Sequence, residues 1–370
     1  MFKKETGNLQ NIYMSIIVFF IVFYVLYIGA SLIIPFIIAL LFSFAIIGLS
    51  NFFKSFKIPA FFSFILSLST YTFIFWGFWK MLGSNVNDLI RLLPDYQEKI
   101  LILISEFFNY LHIPEPASLS DVLSGFDLQY IFTIVLSGFT SIFSSAGIIL
   151  FYVLFILLEY RYFKEKLNLM ITNEVSKKHI FETIDKIKRD VKSYFVIKTI
   201  VSLITAVLSY IVMKLFGLDF AIFWSLLVFI LNFIPNIGSI IAVFLASLFS
   251  LIQFDSYYTF FLIIIGLTSV QVLMGNIIEP KYMGNKLNLS PLVIILSLGF
   301  WGAIWGIVGM LLSVPIMVIV NIILSKIPAT RSIAILLSER GELDVDGVEK
   351  IEKTRKRVLT HIANKFRRKK

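Results

Sequence analysis

The chain has 370 residues, a formal net charge of +10, 58% hydrophobic and 15% charged residues, and no cysteine. That apolar share exceeds the roughly 45–50% usual for soluble domains, and the excess comes in uninterrupted blocks, which excludes a water-soluble globular fold. Lack of cysteine excludes disulfide and thiol chemistry, and the basic surplus lies beside apolar blocks, as in retained cytoplasmic loops rather than a nucleic-acid surface.

Residues 6–53, 58–79, 128–158, 199–213, 220–254, 256–278 and 287–325 carry no charged side chain. A crossing helix needs about 20 apolar residues; only 199–213 falls short, and Val196, Ile197 and Leu215–Phe216 complete it. The stretch 12–50 predicts two closely joined helices that break near Ala30–Pro35. Because the apolar run continues to Ser50, it does not read as a cleaved leader. A short basic turn follows at Asn51–Lys57, then a Phe-rich third span over 59–79.

Residues 80–130 leave the membrane. Ile100, Leu103, Ile104, Phe107 and Leu111 recur at helical spacing opposite Glu98, Lys99, Glu106 and Asn109, which predicts an amphipathic helix before a loop at Pro114 and Pro116. A fourth span covers about 135–159. Beyond it, Ile180, Ile184, Ile187, Val191 and Tyr194 form an apolar stripe, with Lys178, Lys186, Lys188, Arg189 and Lys192 largely off it. Such a helix lies along a membrane surface or packs on a partner, and the surface is the favoured reading.

Basic residues set the orientation. Residues 80–130 hold three Lys or Arg against seven acidic residues, 161–198 hold ten against five, and 326–370 hold thirteen against six. The positive-inside rule puts 80–130 outside and the other two segments, with both termini, in the cytoplasm. The expected organisation is N-terminal spans (1–79), an extracytoplasmic amphipathic segment (80–130), a fourth span (131–160), a cytoplasmic basic amphipathic helix (161–195), a C-terminal membrane domain (196–325) and a basic cytoplasmic tail (326–370). The fold class is all-α: a polytopic membrane protein of about eight transmembrane helices, with amphipathic helices outside the membrane.

Two blocks exceed one crossing and contain helix breakers. Residues 220–252 hold Asn232, Pro235, Asn236 and Gly238; residues 288–325 hold Pro291, Gly299, Gly302, Gly306, Gly309 and Pro315. Each reads either as a broken span or as a re-entrant hairpin. Leu227–Leu231 echoes Leu292–Leu296, a weak sign of an internal repeat.

Enzyme signatures are missing. The sequence has no phosphate-binding loop and no His-Glu-x-x-His helix, and His112, His179 and His361 lie in separate polar segments, which argues against a metal site. No catalytic residue and no cofactor are expected, and the partners are membrane lipid and a small polar solute or cation. Polar residues within apolar blocks must face protein or a watery path. Asn232 and Asn236 flank Pro235, where a broken helix can bind solute; an ordinary proline kink is the alternative. Gln271, Asn276 and Glu279 are spaced to share one helix face, and Pro280 should end or bend that helix. Glu279 is the candidate intramembrane carboxylate, against a solvated cap. Gly302, Gly306 and Gly309 form a small-residue stripe suited to close packing or to movement.

Asn232-Phe-Ile-Pro-Asn-Ile-Gly-Ser-Ile-Ile-Ala242, Gln271-x4-Asn-Ile-Ile-Glu-Pro-Lys-Tyr-Met-Gly284, Leu287-Asn-Leu-Ser-Pro-Leu-Val293 and Gly302-Ala-Ile-Trp-Gly-Ile-Val-Gly-Met-Leu-Leu-Ser-Val-Pro315 together resemble signatures of the AI-2E family, also called the PerM-like permeases. This sequence carries Asn236 and Ser290 where relatives often have an aromatic residue or Gly, and a His. The resemblance implies a bacterial cell-membrane exporter of small molecules such as autoinducer-2, assembled as a homo-oligomer; some relatives are assigned sodium or lithium/proton exchange.

Three functions follow. The first is a secondary exporter of a small polar solute, with Asn232, Pro235, Asn236, Gly238, Gln271 and Asn276 as binding positions and Pro280, Gly284, Pro291, Gly302, Gly306, Gly309 and Pro315 as hinge or packing positions. The second is a cation/proton antiporter with Glu279 exchanging. The third is a non-transporting membrane scaffold.

Overall fold

The computed structural model describes residues 20–77, 144–284 and 287–341, with isolated positions at 13, 14, 17, 18, 80, 81, 99, 102, 108, 112 and 137. The amphipathic helix expected around 100–111, the Pro114–Pro116 loop and the basic tail beyond 341 fall outside this set. Among the described residues there is no strand.

The chain begins with α1 (20–28) and α2 (Ala30–Ser55), separated at Gly29, where ψ turns to 5°. The expected break is therefore present one residue before Ala30, and Pro35 lies inside α2. Next come α3 (Ala60–Gly77), α4 (Ala146–Met170) and α5 (Glu174–Leu215). Asn173 caps α5 by accepting hydrogen bonds from Val175 N at 2.9 Å and Ser176 N at 3.2 Å.

Helix α5 is 42 residues long without interruption, or about 63 Å, roughly twice the hydrocarbon thickness. Its basic half thus continues the axis of its apolar half, because one unbroken helix cannot cross a membrane and also lie flat on it. The Ile187, Val191 and Tyr194 stripe is packed against the chain itself, and Lys188 Nζ sits 5.0 Å from the Tyr160 ring of α4.

Both over-long blocks are hairpins. Helices α6 (Ala221–Leu231) and α7 (Ile237–Phe254) run antiparallel. Gln253 Nε2 donates to Gly217 O at 3.1 Å, and its Oε1 accepts from Asp219 N at 2.8 Å, tying the far end of α7 to the start of α6. Phe249 meets Phe220 edge to face and Trp224 at a tilt between those ends. At the apex, a Cβ on Gly238 would stand 1.8 Å from Leu231 O, so only glycine lets the legs cross this closely.

The second hairpin is formed by α9 (291–305) and α10 (307–326), the two legs of Pro291–Lys326. Gly306 turns between them at φ 62° and ψ −145°, a conformation open to glycine alone. Asn321 Nδ2 donates to Asn288 O at 3.1 Å near the base, and Ser297 Oγ to Ser313 O at 3.4 Å midway. A Cβ on Gly309 would lie 2.0 Å from Trp301 O at the crossing. The glycine stripe is thus the inner seam of this hairpin. Leu227–Leu231 adjoins the first apex while Leu292–Leu296 begins near the second base, so that sequence echo does not match the hairpin pair.

The hairpins open toward opposite ends of the apolar half of α5. The first follows directly from the Leu215 end, where Leu218 N donates to Met213 O at 2.9 Å. The second has Leu289 and Ile322 at its base, clustered with Tyr194 at the other end. Its apex is anchored by Trp305, whose Nε1 donates to Leu26 O at 3.0 Å. Val308 and Leu312 of α10 pack on Ile38 and Ala39 of α2 and on Ile149 and Val153 of α4.

Between the hairpins lies α8 (Tyr257–Met283), whose middle, Val272–Ile278, is π-helical. A short 3-10 turn, Pro328–Thr330, leads to α11 (Arg331–Leu337), which closes on the second base through Ser290 N to Leu337 O at 2.9 Å. Six helices among the described residues are long and apolar enough to cross a membrane, or seven with the bent α4. This is a polytopic, all-α membrane architecture.

Candidate functional site

Within the apolar half of α5, Tyr194, Lys198, Ser202, Thr205 and Ser209 follow at intervals of four, four, three and four residues. That spacing puts them on one helix face, and all five are buried. A polar file of about 22 Å therefore runs along the inside of a membrane helix. Burying it costs free energy unless each group finds a partner or water.

Two neighbours supply partners. Lys198 Nζ donates to Glu279 Oε1 of α8 at 2.6 Å, with side-chain exposures of 5% and 18%. One turn along, Asn232 Nδ2 at the first apex donates to Ser202 Oγ at 3.0 Å. Thr205 Oγ1 donates to its own helix at Val201 O, 2.8 Å. Tyr194 OH and Ser209 Oγ are buried without a hydrogen bond.

Helix α8 runs antiparallel to α5. A Cβ on Gly266 would stand 2.8 Å from Val212, Glu279 meets Lys198, and Met283 clusters with Tyr194. Interpolating between these contacts sets Gln271 at the height of Thr205–Ser209. Its Nε2 is buried with no hydrogen bond, between the buried Leu267 and Met274. Unpartnered polar atoms at Tyr194, Ser209 and Gln271 leave hydrogen-bonding capacity along the file for water or a passing solute.

Of the residues predicted from sequence, Asn232, Gln271 and Glu279 come together along α5. Asn236 is exposed at the first apex with φ 59°, Pro235 is half-buried beside it, and Gly238 is buried at the crossing. Asn276 does not join them. The π-helical turns between Gln271 and Glu279 are wider than α-helical ones, so α-helical spacing misassigns the face, and Asn276 points outward. Pro280 opens the last turn of α8 and Gly284 ends it with φ 52°; Pro291 begins α9, and Pro315 is buried within α10. Gly302 of α9 faces the Met310 side chain, while Gly306 and Gly309 form the apex and crossing.

Sequence reasoning missed Tyr194, Lys198, Ser202, Thr205 and Ser209. By charge, Lys198 reads as part of the basic segment before the span, and small hydroxyls do not interrupt an apolar block. The available signal was Tyr194-x3-Lys198-x3-Ser202 at one-turn intervals. Among the described residues, no group of three or more acidic or His side chains could hold a metal ion.

A family profile described as AI-2E family transporter matches residues 14–329. A Borreliella burgdorferi protein carrying only a provisional transport name is 33% identical over 308 residues, 82% of this chain and 83% of that one. The AI-2 transport protein TqsA of Escherichia coli is 32% identical over 315 residues, covering 84% and 90%. A Haemophilus influenzae protein, also provisionally named for transport, is 30% identical over 341 residues, covering 90% and 97%.

Proposed function

The chain belongs to the AI-2E transporter family, a family of multi-pass bacterial membrane transporters, and from that premise we propose that it is a secondary exporter whose solute path follows the polar face of α5. The observation that carries this reading is the buried file from Tyr194 to Ser209 meeting the broken first hairpin at Asn232. Broken helices that enter from opposite sides and end near mid-membrane are a recurrent way to build alternating access. Here the two hairpins open toward opposite ends of α5, and the glycine crossings keep each one compact. The cargo is a small polar solute of the autoinducer-2 type, by analogy with the name of the E. coli relative. The termini and the basic half of α5 face the cytoplasm, following the charge bias.

Proteoliposomes loaded with labelled solute test this. Efflux should be lost in Asn232→Leu and Ser202→Ala while both variants remain folded; unchanged efflux in both would remove the α5 path from consideration.

A second reading, cation/proton exchange, is favoured by the Lys198–Glu279 pair, which holds an acidic side chain inside the protein facing the file. Imposed sodium and pH gradients separate the two: proton movement driven by sodium and abolished by Glu279→Gln supports exchange over solute export.

A further inference from the structure

We infer that the crevice where the basic half of α5 meets α2 and α4 holds the phosphate of an anionic phospholipid, gripped by Lys188 and Lys192. The two lysines stand one turn apart on one face of α5, and that face turns toward the first half of the chain. Lys188 Nζ is 5.0 Å from the centre of the Tyr160 ring of α4. The end of Lys192 rests beside Gly48 of α2, where a Cβ would lie 3.5 Å from Lys192 Cε and 3.7 Å from its Nζ. Three helices thus converge on two ammonium groups. Neither lysine has a carboxylate partner among the described residues. The acidic side chains nearby do not fill that role: Glu159 pairs with Lys166, and Asp190 lies 3.7 Å from Arg189 Nε. Asp185, one turn before Lys188, is exposed and bonds neither lysine.

Depth decides which anion answers them. The charge-free run of α2 ends at Phe53 and that of α4 at Leu158, so these residues mark the edge of the hydrocarbon. Gly48 precedes Lys54 by six residues, about 9 Å along a helix. Lys192 therefore carries its charge deeper than the level at which α2 acquires its own, while Lys188 lies beside Tyr160 at headgroup level. An unpaired ammonium at that depth is costly, and lipid phosphates are the anions concentrated there. Basic pockets between membrane helices recognise anionic headgroups in this way. Lys54 and Lys57, exposed at the end of α2, strengthen the local positive field. A lipid seated here ties α2 and α4 to α5, the helix that carries the polar file.

The test titrates phosphatidylglycerol into the purified full chain in neutral detergent and follows retained lipid by native mass spectrometry. The parent should keep phosphatidylglycerol in preference to phosphatidylcholine. Lys188→Gln with Lys192→Gln should weaken retention about thirtyfold, the worth of two basic side chains at an anionic lipid surface. Lys188→Arg with Lys192→Arg should restore it. Lys177→Gln with Lys178→Gln removes the same charge roughly 15 Å away along α5 and should leave retention at the parent level. Equal retention of the two lipids, parental retention in the Lys188/Lys192 Gln variant, or an equal loss in the Lys177/Lys178 control would each overturn the proposal. Displacement of the lipid by millimolar inorganic phosphate would overturn it too, because the crevice would then be a site for free anions. Unchanged helical circular dichroism in the Gln variants separates lost binding from lost folding.

Discussion

Removing one partner of the Lys198–Glu279 pair should destabilise the protein far more than removing both. The two atoms meet at 2.6 Å with side chains 5% and 18% exposed, so neither charge has ready access to water. Deleting one leaves the other buried and uncompensated, at a cost of about 3–5 kcal/mol. Replacing both by apolar groups of similar size removes the Coulomb attraction and the desolvation cost together, and such replacements are often neutral or mildly stabilising. Lys198→Met and Glu279→Leu should therefore each unfold at much lower SDS fraction than the parent, whereas the double variant should lie near it. Titration with SDS in mixed micelles, followed by circular dichroism, gives the four corners of a double-mutant cycle. Two single losses that simply add in the double variant would refute the reasoning, because independent sites add and a shared pair does not.

Gly238→Ala should block closure of the first hairpin and abolish a monodisperse product, since its Cβ would stand 1.8 Å from Leu231 O; Gly299→Ala, with no atom within 4 Å of its Cβ, should behave as the parent in size-exclusion profiles. Trp305→Phe keeps an aromatic ring but removes the bond to Leu26 O and part of the buried indole, so it should cost more than the about 1 kcal/mol of the hydrogen bond alone in the same SDS titration. A single cysteine at Asn236 should react with an impermeant maleimide from one side of sealed vesicles only, because the first hairpin returns to the end from which it starts; reaction from both sides would count against that topology.

Much of this fold is legible in the sequence because hydrocarbon imposes long uncharged runs, and those runs mark the helices directly. The breakers also mark the apices: Pro235 and Gly306 stand within one turn of the points where the chain reverses. Reversal itself is not legible, since a kinked span and a hairpin share the same breakers. What separates them is contact between distant residues, such as Gln253 with Gly217 and Asn321 with Asn288. The site was read in part. Asn232 and Glu279 stand out as polar interruptions, but Lys198 sits where an apolar block begins and looks like the last residue of a cytoplasmic loop. Helical spacing puts Asn276 on the wrong face because a π-helical segment has no strong residue preference to announce it. Ser202, Thr205 and Ser209 are small hydroxyls that do not interrupt an apolar run, and of the three Thr205 bonds its own helix backbone.

The central claim is that solute moves along the buried polar face of α5, and Thr205 stands in the middle of it. The chain has no cysteine of its own, so Thr205→Cys can be treated with a small methanethiosulfonate reagent in proteoliposomes while solute efflux is recorded. Modification should stop efflux and should slow when solute is present, whereas Val207→Cys on the exposed face of the same helix should be indifferent. Efflux that continues unchanged after complete modification of Thr205→Cys would contradict the account.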